Sequence, residues 1–280
     1  MKITCYGARG SIPVSGEEYR KYGGNTTCIE VRGEQGTRLV IDAGTGIRQC
    51  GIDYIRQDVK DINILFTHYH LDHIMGLPFF KPLFYKDRSI SIMGPRFENL
   101  SCQCVIDKII SSPSFPVMIS EIKACRDLNI SDIPVDPFNI GDFRISTINL
   151  NHPNGGVGIK IEEGAKKFVF LTDNELDYLH PDGHQPSEYI EFSKDADLLI
   201  HDAEFLENEY QYTIMWGHST YTSAAKVAKN AGVKKFGLFH HNQNRSDSEI
   251  DNIIKKTYEL TGNEKTIEIF GAAQGQQIII

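Results

Sequence analysis

No stretch of the 280 residues approaches the ~20 consecutive apolar residues that a membrane-spanning helix needs. The opening MKITCYGARGSIPV has no sustained apolar core either, so it does not read as a secretory leader, and the cytoplasm is the expected compartment. A disulfide framework is also missing. Cys5, Cys28, Cys50, Cys102, Cys104 and Cys125 are scattered, and reduced thiols are the reading that follows. Basic charge is short: 29 Lys and Arg against 37 Asp and Glu leave a formal charge of −8, with no basic run to neutralise a phosphate backbone. That argues against a long duplex or a tRNA body as partner. A small anion stays open, because bound metal cations would reverse the local field. Internal repeats, low-complexity tracts and linkers are absent as well, so residues 1–280 are expected to form one domain.

Short apolar or alternating runs are plentiful, among them KITCYG, TRLVIDAG, INILFTH, RSISIMG, FRISTINLN, KFVFLTD, DLLIHD and KFGLFH. Several end in Gly, Asn, Asp or His, as strands do. Helical segments are expected after Gly44, from Asp72 through Phe80, around Asn99–Ile110, and over Ser187–Ser193, Ser219–Ala231 and Ser246–Leu260. Strands clustered first, with helices then falling between strands, point to a layered α/β protein with mixed sheets. The region from about Pro95 to Pro137 is less regular. Its SSPSFPV and DIPVDPF break any long element, which suggests an inserted cap or edge segment at 95–137.

Chemistry concentrates in THYHLDH, where His68, His70, Asp72 and His73 follow an apolar run. Imidazole and carboxylate suit zinc and its neighbours. His68 and His70 share a face of an extended chain, and Asp72 and His73 turn into a helix, so the four can fan around a small volume at a strand's C-terminal end. Further candidates each stand after another apolar run: His152, Asp173, and His240 or His241. Any one alone is a turn residue or a satisfied polar side chain; the ordered set is a metal site. Cys102 and Cys104 form a C-x-C pair, but two thiols lack the other ligands of a structural zinc site and read as buried or half-buried.

The pattern THYHLDH, then His152, Asp173 and His240, resembles the metallo-β-lactamase superfamily over nearly the whole chain. The resemblance implies a four-layered αββα sandwich with two divalent metals at one edge, zinc foremost, with manganese or iron as alternatives. His68, His70 and His152 would bind the first metal, Asp72, His73 and His240 the second, and Asp173 would bridge them. Asp42, in LVIDAGTG, would support the histidine loop, and His241 would be a bystander beside His240. No glutamate stands at the His70 position, unlike in di-iron flavoproteins, which argues against redox work.

ADLLIHDAEF followed by WGHSTYTSAAKVAKNAGVKKFGLFHH is similar to ribonuclease Z and related phosphodiesterases. That resemblance implies a helix opened by Ser219 and Thr220 near substrate phosphate, with the plain alternative of an N-cap. His218 would protonate the leaving oxygen, and Asp72 would orient the nucleophile. YGGNTT, residues 22–27, either borders the site or is a glycine turn. Ribonuclease Z carries a long clamping arm between the positions of His152 and Asp173, whereas this chain has room for a hairpin. A small phosphodiester such as a cyclic nucleotide is therefore the expected substrate, with tRNA 3′-processing disfavoured. A thioester or lactone hydrolase and a non-catalytic metal-stabilised sensor are the other readings. Such phosphodiesterases are commonly dimers, so a homodimer is expected, with 95–137 as its candidate contact.

Overall fold

The computed structural model describes residues 1–122, 126–261 and 267–280. Cys125 lies outside them; among the described residues Cys5, Cys28, Cys50 and Cys102 are buried free thiols and Cys104 is an exposed one. The strands are β1 (Lys2–Gly7), β2 (Cys28–Arg32), β3 (Arg38–Ile41), β4 (Asp61–Leu65), β5 (Ser89–Gly94), β6 (Asp127–Asp132), β7 (Phe138–Ile140), β8 (Phe143–Asn149), β9 (Val157–Glu163), β10 (Lys166–Leu171), β11 (Leu198–Asp202), β12 (Lys235–Phe239), β13 (Glu268–Gly271) and β14 (Gln277–Ile279). They form two seven-stranded sheets, ordered β14-β1-β2-β3-β4-β5-β6 and β13-β12-β11-β10-β9-β8-β7. Each is mixed: β3 to β6 run parallel, as do β10 to β13, and the remaining pairings are antiparallel.

Alternation along the strands builds three layers of core. Leu39 and Ile41 face the other sheet while Val40 between them faces outward; Phe168 and Phe170 likewise face inward and Val169 outward. Ile47, Cys50 and Tyr54 of α1 (Ile47–Arg56) cover the outer face of the first sheet, at the 3–4 residue spacing that makes one helical stripe. Two further helices come after α2 (Leu71–Ile74), α3 (Cys102–Ile109), α4 (Pro186–Ser193) and α5 (Glu207–Tyr210). Of these, α6 (Tyr221–Asn230) and α7 (Asp247–Leu260) pack with α4 on the outer face of the second sheet through Tyr189, Ala224, Ala228 and Ile253. The order helix, sheet, sheet, helix is the expected αββα sandwich.

One expectation changes. The helix foreseen over Asp72–Phe80 is only the single turn Leu71–Ile74, followed by 3-10 turns at Leu77–Phe79 and Lys81–Phe84. Pro78 and Pro82 have no N–H to continue an α-helix. The 95–137 segment contains α3 and then β6, which pairs with β5 as the outermost strand of its sheet. Between β9 and β10, Gly164 turns at φ 58° and closes an antiparallel hairpin.

Candidate metal centre

The C-terminal ends of β4, β8, β10, β11 and β12 meet at one edge of the sandwich. Asp42, just past β3, organises the loop that leaves β4. Its carboxylate accepts from the Thr67 N–H and hydroxyl, both at 2.7 Å, and lies 2.8 Å from His73 Nδ1. One buried side chain thus ties the start of the histidine loop to its end, which is the supporting role expected of it.

His68, His70, His152 and Asp173 converge as one group, and Asp72, His73, Asp173 and His240 as a second, with the potential ligand atoms of each within 4.8 Å of one another. Asp173 belongs to both. Its Oδ2 lies 3.5 Å from His68 Nε2 and 3.4 Å from His240 Nε2, and its Oδ1 lies 3.2 Å from His73 Nε2. Asp72 Oδ2 is 3.1 Å from His240 Nε2 and accepts the Ser11 N–H at 2.9 Å. No cysteine joins such a group among the described residues.

Four of the five imidazoles, those of His68, His73, His152 and His240, are oriented through the other nitrogen, as ligand histidines are. His152 Nδ1 is 2.9 Å from the Gly217 carbonyl, His240 Nδ1 is 2.9 Å from Glu204 Oε2, and His68 Nδ1 is 3.1 Å from Thr67 Oγ1. Gly217 is required: it has φ 90°, and a Cβ there would stand 2.0 Å from His152 Nδ1. Its N–H is held by Glu175, a buried carboxylate that also accepts from the Met215 N–H and the Tyr210 hydroxyl and faces His180 Nε2 at 2.8 Å. Asp42, Asp173 and His240 all turn left-handed at φ 60°, 49° and 56°, swinging their side chains from the strand line into the site.

The donors fit a pair of divalent cations. His68 Nε2 and His73 Nε2 are buried and have no hydrogen-bond partner, a cost that coordination removes. Burial works against charge on His73 and His240, yet Asp173 and Asp72 raise both well above the ordinary histidine range. Burial likewise disfavours charge on Asp72 and Asp173, but the facing histidines hold both carboxyls well below the usual range. A core of carboxylates that remain ionised when buried selects for cations. The donor set, nitrogen and oxygen without sulfur, suits zinc, manganese or iron.

A domain model described as the beta-lactamase superfamily domain matches residues 37–241. The chain belongs to that superfamily. Within it, the chain falls in the branch that holds ribonuclease Z and YhfI. Ribonuclease Z of Haloarcula marismortui is 26% identical, with 86% of each chain covered. The probable metallo-hydrolase YhfI of Bacillus subtilis is 25% identical, again over 86% of each. The YhfI crystal structure superposes with a TM-score of 0.72 over 99% of both chains, at 19% identity. A diphosphatase of the PhnP family superposes at 0.69, covering 100% of this chain and 97% of that one, at 17% identity. With its histidine and aspartate clusters, this member of the superfamily is a metal-dependent hydrolase.

Beside the two groups stands His218, stacked on His240 with ring centroids 4.6 Å apart. Its Nδ1 is 2.7 Å from Asp202 Oδ2 and 3.6 Å from Glu204 Oε2. Burial opposes its charge, but Glu204 and Asp202 outweigh burial and lift its pKa to about 9. Thr220 takes the plain alternative given for the pair, an N-cap, and Ser219 is tied into the neighbouring loop. The Ser219 hydroxyl donates to the Asn174 carbonyl and accepts from the Leu176 N–H, and Thr220 Oγ1 caps α6 through the Ser223 N–H. Both side chains are buried. His241 points away, with Nε2 2.8 Å from the Ala272 carbonyl and its ring against Tyr22. YGGNTT packs with it: Arg9 donates to the Gly23 carbonyl, and Tyr22 donates to Asp251.

Asp202, Glu204 and Glu175 are functional neighbours that the sequence analysis left unassigned. Asp202 ends an apolar run as the chosen ligands do, so the same rule reaches it. Glu204 and Glu175 act on residues 36 and 42 positions away, and no local pattern marks them.

Proposed function

We propose that this hydrolase is a phosphodiesterase acting on small diesters, of which a cyclic nucleotide is the model case. The observation that carries the reading is His218: it is not needed as a ligand, it is held protonated by two carboxylates, and its Nε2 makes no hydrogen bond among the described residues. A dinuclear centre, zinc foremost, supplies when bound an activated water and neutralises charge on the transferring phosphoryl group. Asp72, anchored by the Ser11 N–H, orients that water. His218 gives its Nε2 proton to the departing alkoxide, and Asp202 keeps Nδ1 protonated and steadies the ring. A thioester needs no such proton donor, because its thiolate is a good leaving group.

The relatives named ribonuclease Z and diphosphatase support phosphoester chemistry. The short β9–β10 hairpin and the charge of −8 favour a small substrate over tRNA. A homodimer belongs to the same proposal, supported by the exposed Tyr212, Ile214, Met215 and Trp216; light scattering that gives a monomer at micromolar concentration removes it. No helix among the described residues is long and apolar enough to cross a membrane. The deciding experiment is a turnover screen of metal-loaded protein over cyclic nucleotides, bis-aryl phosphates, pre-tRNA, thioesters and lactones. Diesters should turn over fastest; turnover confined to thioesters or lactones overturns the reading.

A further inference from the structure

Arg9 is fully buried, yet it belongs neither to the ligand groups nor to the proton donor and its partners. It lies in GARGS, residues 7–11, the strip that leaves β1. A guanidinium taken out of water is costly unless its N–H groups are satisfied. Every side-chain hydrogen bond that Arg9 makes among the described residues goes to a backbone carbonyl. Nε and Nη2 donate to Gly23 at 3.3 and 3.0 Å, and Nη1 donates to Asn242 at 3.1 Å and to Arg245 at 2.8 Å. Gly23 stands ahead of β2 in the first sheet, whereas Asn242 and Arg245 lie in the turn that leaves β12 of the second. One planar fork thus spans both halves of the sandwich. The backbone of the strip takes the same path. Arg9 N–H donates to the Asn25 carbonyl and Gly10 N–H to the His241 carbonyl, both at 3.0 Å, and His241 N–H donates to the Ala8 carbonyl at 2.9 Å.

This strip serves the two ligand groups unequally. Ser11, left-handed at φ 60°, gives its N–H to Asp72 Oδ2 at 2.9 Å. Gly10 lies against His240, where a Cβ would stand 2.4 Å from the imidazole. Past His241, Asn242 Nδ2 donates to Glu204 Oε1 at 2.7 Å, and Glu204 Oε2 is 2.9 Å from His240 Nδ1. The hydrogen bonds of His68, His70 and His152 go instead to Thr67, Asn154, Gly217 and one another, and none comes from residues 7–11. We propose that Arg9 is a positioning residue for the second metal, the one that Asp72, His73, Asp173 and His240 would hold. By clamping Gly23 and the 242–245 turn onto the strip, it fixes Asp72 through Ser11, and His240 through Asn242 and Glu204. The first metal, on His68, His70 and His152, does not depend on it. The inference rests on the two-metal reading of the site and holds whatever the substrate.

The test is calorimetric titration of zinc into protein stripped of metal with chelator. Wild-type protein should take up two equivalents. Arg9→Lys keeps the charge, but a single ammonium cannot reproduce the fork that reaches both halves. It should weaken one equivalent by roughly 10–100-fold, the usual effect of disturbing a ligand's support, and leave the other within about threefold of wild type. His240→Ala, alone and combined with Arg9→Lys, identifies the metal affected. With the second site already removed, Arg9→Lys should no longer change the affinity of the metal that remains. Asn242→Ala leaves Arg9 and its carbonyl acceptors in place and cuts the link to Glu204. It should also weaken one equivalent selectively, and it serves if the lysine variant does not fold. Equal weakening of both equivalents, a further loss in the His240→Ala background, or unchanged affinities in the folded variants overturns the inference. Uptake of one equivalent by the wild-type protein would remove the two-metal reading itself, and this inference with it.

Discussion

Four of the seven candidate ligands leave β4 in a single loop, His68 to His73, whereas the second sheet supplies His152, Asp173 and His240 from the ends of three separate strands. The loop is held by one side chain, Asp42, that grips it at both ends. The two dispersed histidines each have their own support: Gly217 behind His152, and Glu204 behind His240. A compact loop concentrates the site in one short piece of chain. A dispersed set instead makes the site report on whether the whole second sheet and its loops are in place. Asp173 is where the two designs meet, since it alone belongs to both ligand groups.

Asp173→Ala should therefore have the largest effect. Elemental analysis of protein purified without chelator is expected to fall from two metal equivalents per chain towards none, and activity with it. A variant that keeps both metals would mean that the loop holds the centre unaided. Next comes His218→Ala, which should keep its metals yet lose roughly 10²–10⁴-fold in turnover, most for a ribose leaving group and least for p-nitrophenolate. Equal losses on both leaving groups would remove its role as proton donor.

Asp42→Asn and Glu204→Gln compare the two supports directly. Each should weaken metal binding by roughly 10–100-fold in chelator competition, the usual effect of altering a ligand's hydrogen-bond partner. Only Glu204→Gln should also slow turnover at saturating metal, because Glu204 faces His218 as well as His240. Identical behaviour of the two variants would erase the distinction between shared and individual support. The smallest effect belongs to His241→Ala: metal content unchanged, with stability in urea lowered by about 1–3 kcal/mol through the unpaired Ala272 carbonyl.

The same contrast explains what was legible in the sequence. The loop was conspicuous because its ligands are neighbours along the chain, and the dispersed ligands could be found because each follows an apolar strand. Central strands such as β4 and β11 announce themselves by burial. β6, with the polar sequence DLNISD, does not, because it is an outermost strand with no neighbour on one side. The three-residue β7 and β14 are too short to show alternation, and they too end their run of strands or border an edge. Glu175 and Glu204 were invisible for a different reason. Nothing near them in the chain shows that they brace His152, through Gly217, and His240; only the tertiary structure brings them there.

The left-handed turns at Asp42, Asp173 and His240 set backbone strain against buried pairing. A residue with a Cβ gives up about 1–2 kcal/mol in that conformation, whereas glycine adopts it freely. Glycine at any of the three would, however, leave buried partners unpaired: Thr67 and His73 at Asp42, and the facing charges at Asp173 and His240. Variant libraries sorted on melting temperature alone should therefore keep all three side chains, because the buried pairing outweighs the backbone strain that each residue carries.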